Sequence, residues 1–165
     1  MASVFVRELF LKYRGPRRRV RFETLGGPEQ AAAFLRHILP DPVREHFLAL
    51  FLDNRHQVTG YSVAATGTAS HCPASMREVF QAALLGGASA LIIGHNHTSA
   101  QNHDELFPSP EDLSVTHRFS AAGDLLSIAV LDHLIIGEHG YYSFKERNRM
   151  RPRADEANAA TTTAA

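Results

Sequence analysis

Apolar and polar residues follow distinct periods along this chain, and three stretches have the apolar spacing of helices. The first, PEQAAAFLRHIL, begins after Gly27, and the second, SMREVFQAALLGGA, ends at its glycine pair. The third, SPEDLSVTHRFSAAG, is expected to end just before Gly123. Ser75 and Ser109 each precede an acidic residue by the spacing of a capping box, which supports the starts of the last two helices.

The other apolar stretches predict strands. EHFLALFLD and QVTGYSVAA are separated by a turn at Asp53 and Asn54, a pattern typical of a hairpin. ALIIG predicts a buried strand, LLSIAVLDHLIIGEHGYYSF predicts two more, and VRFETL predicts a short edge strand. Because strands and helices interleave, we predict an α/β fold in which helices cover a sheet.

Composition favours one domain in a reducing cytoplasm. The chain has 165 residues, of which 44% are hydrophobic, and no stretch approaches the roughly 18 apolar residues of a membrane helix. The stretch MASVFVRELF has charged residues where a signal peptide would be apolar. Cys72 is the single cysteine, which excludes an intramolecular disulfide and a cysteine-based zinc site. We expect a cytoplasmic protein without a membrane partner.

Charge is balanced overall but uneven along the chain. The 17 basic and 17 acidic residues argue against a surface that binds polyanions as a whole. Basic residues nevertheless cluster over 7–21 and 145–153. A solvated edge strand and a loose tail explain the two clusters, and contacts with nucleic-acid phosphates are the alternative.

The candidate chemistry lies where the strand ALIIG ends. His95 and His97 follow this strand with one residue between them, and residues i and i+2 of an extended chain point to the same side. Both imidazoles can reach one metal ion, or each can be satisfied by a backbone carbonyl at the strand end. Because the chain has 10 histidines, this pair needs further ligands to be informative.

Two carboxylates are candidates to complete a site. A catalytic zinc uses three protein ligands and keeps a fourth position for water, and Asp112 in SPED is the candidate third ligand. Ser109 and Asp112 also have the spacing of a capping box, and the two roles are compatible. Glu45, at the head of EHFLALFL, is the candidate base or a plain loop glutamate.

The order of these motifs resembles the JAMM (MPN-plus) metalloproteases, with a glutamate before a buried strand, then H-x-H, then S-x-x-D. More narrowly, the chain is similar to the RadC family of bacterial JAB-domain proteins over roughly residues 25–144. The similarity lies in REHFLALFLDNRHQV, REVFQAALLGGASALIIGHNH, SPEDLSVTHRFSAAGDLLSIAVLDHLIIG and GYYSF. It implies a cytidine-deaminase-like fold, a mixed sheet flanked by helices. We divide the chain into a basic extension (1–24), this domain (25–146) and a disordered tail (147–165).

The resemblance also implies an activity, that of a zinc metallopeptidase. His95, His97 and Asp112 would bind Zn²⁺ and a water whose pKa falls to about 7. Glu45 would take the proton of that water and pass it to the leaving amine, and Ser109 would donate a hydrogen bond to the oxyanion. The implied partner is a protein or peptide with a peptide or isopeptide bond. A homo-oligomer is compatible with the sequence.

The chain departs from the family pattern near the metal motif. Relatives usually read HNHPSG and have a shorter spacing to the aspartate, whereas this chain reads HNHTSA with 14 residues between His97 and Asp112. His103, Asp104 and Glu105 lie in the insertion, and we expect an exposed loop that could also cap the site or substitute in it. SMREVF stands where the family has HPREVF, and Cys72 is expected to be a small packed residue.

Three other classes of protein are alternatives to a metallopeptidase. A zinc deaminase would share H-x-E, present at 103–105, but its P-C-x-x-C motif needs two cysteines and is excluded. The alternative function is a DNA-repair-associated module that contacts nucleic acid and has a non-catalytic metal site. The helix-hairpin-helix region of longer relatives is not found in this sequence, which weakens that alternative. A metal-free scaffold is disfavoured because all four site residues are present.

Overall fold

The computed structural model describes residues 25–67, 75–97 and 106–151. The three helices of this part are α1 (Pro28–Ile38), α2 (Met76–Leu85) and α3 (Pro110–Leu126). Its five strands are β1 (His46–Leu52), β2 (Val58–Thr66), β3 (Ala90–Asn96), β4 (Ala129–Ile136) and β5 (Tyr141–Ser143). None of these helices is long and apolar enough to cross a membrane. The predicted strand VRFETL, apart from its last residue, the insertion at 103–105 and Cys72 lie outside the described residues.

The strands form one mixed sheet in the order β2-β1-β3-β4-β5. β1 pairs antiparallel with β2 and with β3, β3 runs parallel to β4, and β4 pairs antiparallel with β5. The predicted hairpin is therefore confirmed, and so is the α/β class with helices beside a mixed sheet. The parallel pair requires a crossover, which α3 provides between β3 and β4.

Helices cover both faces of the sheet. Leu48, Leu50 and Leu52 of β1 point to the face that packs against α1. Phe47, Ala49 and Phe51 alternate with them and point to the opposite face, where they pack in one cluster with residues of α2 and α3. The central strands are thus buried on both faces, which explains why their sequences are almost continuously apolar.

The expected end of α3 was wrong. The helix continues through Gly123 to Leu126, and Ser127 adopts the left-handed conformation that ends it, with a φ of 55°. Gly123 is instead a point of close approach, because a Cβ there would lie 2.5 Å from the backbone oxygen of Ile128. A helix interior usually disfavours glycine, but here only glycine lets the chain fold back closely into β4.

Residues 144–151 form a turn that packs on the domain, although the sequence predicts a disordered tail from residue 147 onward. The buried carboxylate of Asp132 accepts hydrogen bonds from the Ser143 hydroxyl and the Lys145 amide. Met150 packs against a small cluster that includes Phe144, and its carbonyl accepts a hydrogen bond from Ser120. The turn therefore closes one end of the core.

Candidate metal centre

The candidate site lies where β3 ends and α3 begins. His95 is a buried residue of β3, and His97 is the first residue after this strand. Asp112 is in the first turn of α3, where Ser109 is the N-cap. The cap is a complete capping box, because the Ser109 side chain accepts from the Asp112 amide and the Asp112 carboxylate accepts from the Ser109 amide.

Three candidate ligand atoms converge despite the lengthened loop between them. Nε2 of His95 lies 3.0 Å from Nε2 of His97 and 3.2 Å from Oδ1 of Asp112. Nε2 of His97 lies 3.8 Å from Oδ2 of Asp112. Within the described ranges, these residues are the group of histidine, cysteine and acidic side chains that could hold a metal ion.

These distances fit a tetrahedral metal centre. With metal–ligand bonds of 2.0–2.1 Å, two ligand atoms of a tetrahedral site are separated by about 3.3 Å. The separations of 3.0 Å between the two Nε2 atoms and 3.2 Å between Nε2 of His95 and Oδ1 of Asp112 are close to that value, and one ligand atom from each of the three residues lies within 4.8 Å of the other two. Two imidazoles and one carboxylate are also a donor set that binds Zn²⁺ and leaves a fourth position open. The residues therefore suit a divalent cation of this type.

The carboxylate of Asp112 is held in its ionised form. Burial favours the neutral acid, but the hydrogen bond and the charge of His95 when its imidazole is protonated, together with the hydrogen bonds from Ser109, outweigh it and hold the pKa of Asp112 well below its usual range. Both the amide and the hydroxyl of Ser109 donate to Oδ2, at 2.8 and 2.7 Å. Oδ1 is thus the oxygen nearer His95, and Oδ2 is the oxygen anchored by the helix cap.

The surroundings of His97 favour its neutral imidazole, which is the form that binds a cation. Burial lowers the pKa of its imidazole, the neighbouring His95 lowers it further, and Asp112 partly opposes both effects. A neutral imidazole has a free lone pair, which is the form that a metal requires.

The segment that carries Glu45 is fixed to β3 by Asn96, which stands between the two histidines. The buried Asn96 side chain accepts a hydrogen bond from the His46 amide at 2.8 Å and donates one to the Arg44 carbonyl at 2.9 Å. β1 and β3 pair with Phe47 opposite His95, so Glu45 and His97 each lie two residues beyond this last pair, at the same end of the two strands. Asn96 therefore holds the backbone on both sides of Glu45.

A second buried histidine contacts the candidate ligands. Nε2 of His133 lies 3.0 Å from Nδ1 of His95, and its Nδ1 lies 2.6 Å from the Thr116 hydroxyl. That hydroxyl donates a hydrogen bond to the Asp112 carbonyl at 2.6 Å. His133 is fully buried, and burial lowers the pKa of its imidazole well below its ordinary value, with the neighbouring His95 acting in the same direction.

Sequence reasoning found the three convergent residues but missed Asn96, Thr116 and His133. A weak signal existed for His133, because the polar pair DH interrupts the apolar strand VLDHLII. Asn96 could have been singled out by its place inside H-x-H. Thr116 gave no signal, since threonine in a helix is ordinary.

Two arginines of the turn over 144–151 have internal partners. Arg151 pairs with Asp124 at 2.7 Å, and the Arg147 guanidinium lies 5.9 Å from the centre of the Tyr142 ring. Contact of this cluster with nucleic-acid phosphates, the alternative interpretation of its charge, stays a prediction.

The sequence of this chain is similar to those of known proteins. Residues 25–149 match the family of RadC-like JAB domains. A UPF0758 protein of Geotalea uraniireducens is 36% identical over 87% of this chain and 60% of its own length. A UPF0758 protein of Thermosynechococcus vestitus is 43% identical over 74% of this chain and 47% of its own length. The chain thus spans about half to three fifths of the length of these relatives.

Proposed function

Because the chain belongs to the RadC-like JAB domain family, we propose that it is a zinc-dependent hydrolase of the JAMM type that cleaves peptide or isopeptide bonds. The observation that carries the proposal is the convergence of His95, His97 and Asp112 at distances that suit one tetrahedral cation. The substrate is a protein or peptide, and the site of action is the cytoplasm. The relatives are named only as UPF0758 proteins, so the support for this activity comes from the geometry of the site and from the family.

The three ligand residues would hold the metal through Nε2 of His95, Nε2 of His97 and Oδ1 of Asp112. When bound, Zn²⁺ lowers the pKa of a coordinated water and polarises the carbonyl of the scissile amide. Oδ2 of Asp112 keeps its hydrogen bond from the Ser109 amide, which orients the carboxylate.

Glu45 acts as the general base and then as the general acid. Its carboxylate takes a proton from the water as the water oxygen bonds to the carbonyl carbon, and it then delivers that proton to the amide nitrogen as the carbon–nitrogen bond breaks, so that an acid and an amine are released. The support is positional, because the β1–β3 pairing ends with Phe47 opposite His95, and Asn96 hydrogen-bonds the residues on both sides of Glu45.

Ser109 stabilises the oxyanion in this proposal. Its hydroxyl donates to Oδ2 of Asp112 at 2.7 Å in this structure, so it must turn away from the carboxylate to donate to substrate oxygen. The carboxylate would keep the Ser109 amide as a partner, so this rotation leaves Oδ2 hydrogen-bonded.

Hydrolysis of a peptide and isopeptide library tests this proposal. We expect the zinc-loaded protein to release new amine termini, the protein stripped by a chelator to release none, and added zinc to restore cleavage. Mass spectrometry of the products identifies the bond that is cut. Equal products with and without bound metal would contradict the assignment.

A further inference from the structure

We propose that Thr116 and His133 are positioning residues that fix the proton of His95 on Nδ1, so that the lone pair of Nε2 faces the metal. This inference rests on the metal site of the proposed function and concerns residues to which that function assigns no role. Its basis is a continuous chain of short contacts from the Asp112 carbonyl through Thr116 and His133 to His95.

The donor and the acceptor of each hydrogen bond in this series follow from the contact at the Asp112 carbonyl. A carbonyl oxygen can only accept a hydrogen bond, so the single hydroxyl proton of Thr116 lies between its Oγ1 and the Asp112 oxygen, 2.6 Å apart. Thr116 must then accept from its other neighbour. That neighbour is Nδ1 of His133, at 2.6 Å, which therefore carries a proton.

In the next hydrogen bond of the series, His133 is the acceptor and His95 is the donor. It is completely buried, and its ring stacks on Phe144 with centroids 4.7 Å apart and lies 5.8 Å from the Phe47 ring. A second proton on this imidazole would place a charge among aromatic rings, which is costly. With its one proton on Nδ1, His133 has a bare Nε2, which accepts from Nδ1 of His95 at 3.0 Å.

The consequence for His95 is a defined tautomer. In the neutral form that a metal ligand requires, His95 donates through Nδ1, and its unprotonated Nε2 faces His97 and Asp112. Because Thr116 also bonds the backbone of Asp112 one helical turn earlier, the same contacts tie two candidate ligands together.

The test compares Thr116→Val with Thr116→Ser. Valine has nearly the shape of threonine but cannot accept from His133, whereas serine retains the hydroxyl. Two quantities are measured in each protein. Nitrogen NMR of the metal-free protein identifies which ring nitrogen of His133 is protonated, and competition with a chelator gives the affinity for Zn²⁺.

We expect wild type and Thr116→Ser to have His133 protonated on Nδ1 and to bind Zn²⁺ equally well. Thr116→Val is expected to move the His133 proton toward Nε2 and to weaken zinc binding by about tenfold or more, the usual cost of losing an outer-shell partner. If Thr116→Val does not fold, His133→Gln and His133→Phe replace it. Glutamine retains an acceptor for His95 and is expected to bind zinc more tightly than phenylalanine.

Two results would overturn the inference. The first is a wild-type His133 protonated on Nε2, and the second is a folded Thr116→Val protein with unchanged zinc affinity. Failure of the proposed function is distinguishable from both, since it would appear as a wild type without zinc affinity. The NMR result is obtained without metal and does not depend on that outcome.

Discussion

Glu45→Gln is expected to reduce hydrolysis by about 10²–10⁴-fold while leaving the bound metal in place, because general acid–base catalysis typically contributes that much. Glutamine has almost the shape of glutamate but cannot take a proton from water at neutral pH. Glu45 is not among the residues whose ligand atoms converge, so zinc content should not change. Turnover of the cleaved library peptide and zinc content are measured on the same preparation.

Glu111→Gln is the matched control for this substitution. Glu111 is exposed in the first turn of α3, close in sequence to both Ser109 and Asp112, and lies outside the convergent group. It should retain wild-type turnover. A Glu45→Gln protein with most of its activity would refute the base assignment, and one that loses zinc would instead make Glu45 a ligand or a structural residue.

Gly123→Ala is expected to lower the free energy of unfolding by about 2 kcal/mol, although alanine is the better helix former by about 1 kcal/mol. The added Cβ would lie 2.5 Å from the Ile128 carbonyl oxygen and 2.9 Å from a methyl carbon of Val130. A backbone oxygen cannot rotate away, so overpacking, which costs about 1–3 kcal/mol, should reach the top of its range. Urea denaturation of the metal-free protein gives the value.

Gly60→Ala is the control for this prediction. A Cβ at Gly60 would meet only Phe51, at the ordinary distance of 3.5 Å. We expect its free energy of unfolding to stay within about 0.5 kcal/mol of wild type. If Gly123→Ala is as stable as Gly60→Ala, the close approach of α3 to β4 does not explain the glycine.

Local patterns were sufficient for most of the fold. The hairpin of β1 and β2 followed from two apolar runs around a turn, and the starts of α2 and α3 followed from their serine caps. The candidate ligands followed from spacing together with the family resemblance. All these features depend on residues that are near one another in the chain or on a motif shared with relatives.

What the sequence could not provide depends on contacts between distant segments. Gly123 resembles a helix stop until its proximity to Ile128 is known. Likewise, Asn96 reaches the backbone about 50 residues away, and His133 contacts His95 across two neighbouring strands. Such partners are set by strand order and register, which periodicity alone does not determine.

The central claim is that one divalent cation is held by His95, His97 and Asp112, and zinc content tests it most directly. The metal is quantified by mass spectrometry in the purified wild type, in His97→Ala and in His139→Ala, whose histidine is exposed in the turn between β4 and β5. We predict about one zinc per chain in the wild type and His139→Ala and almost none in His97→Ala. Equal zinc content in all three proteins, or no zinc in any of them, would contradict the account.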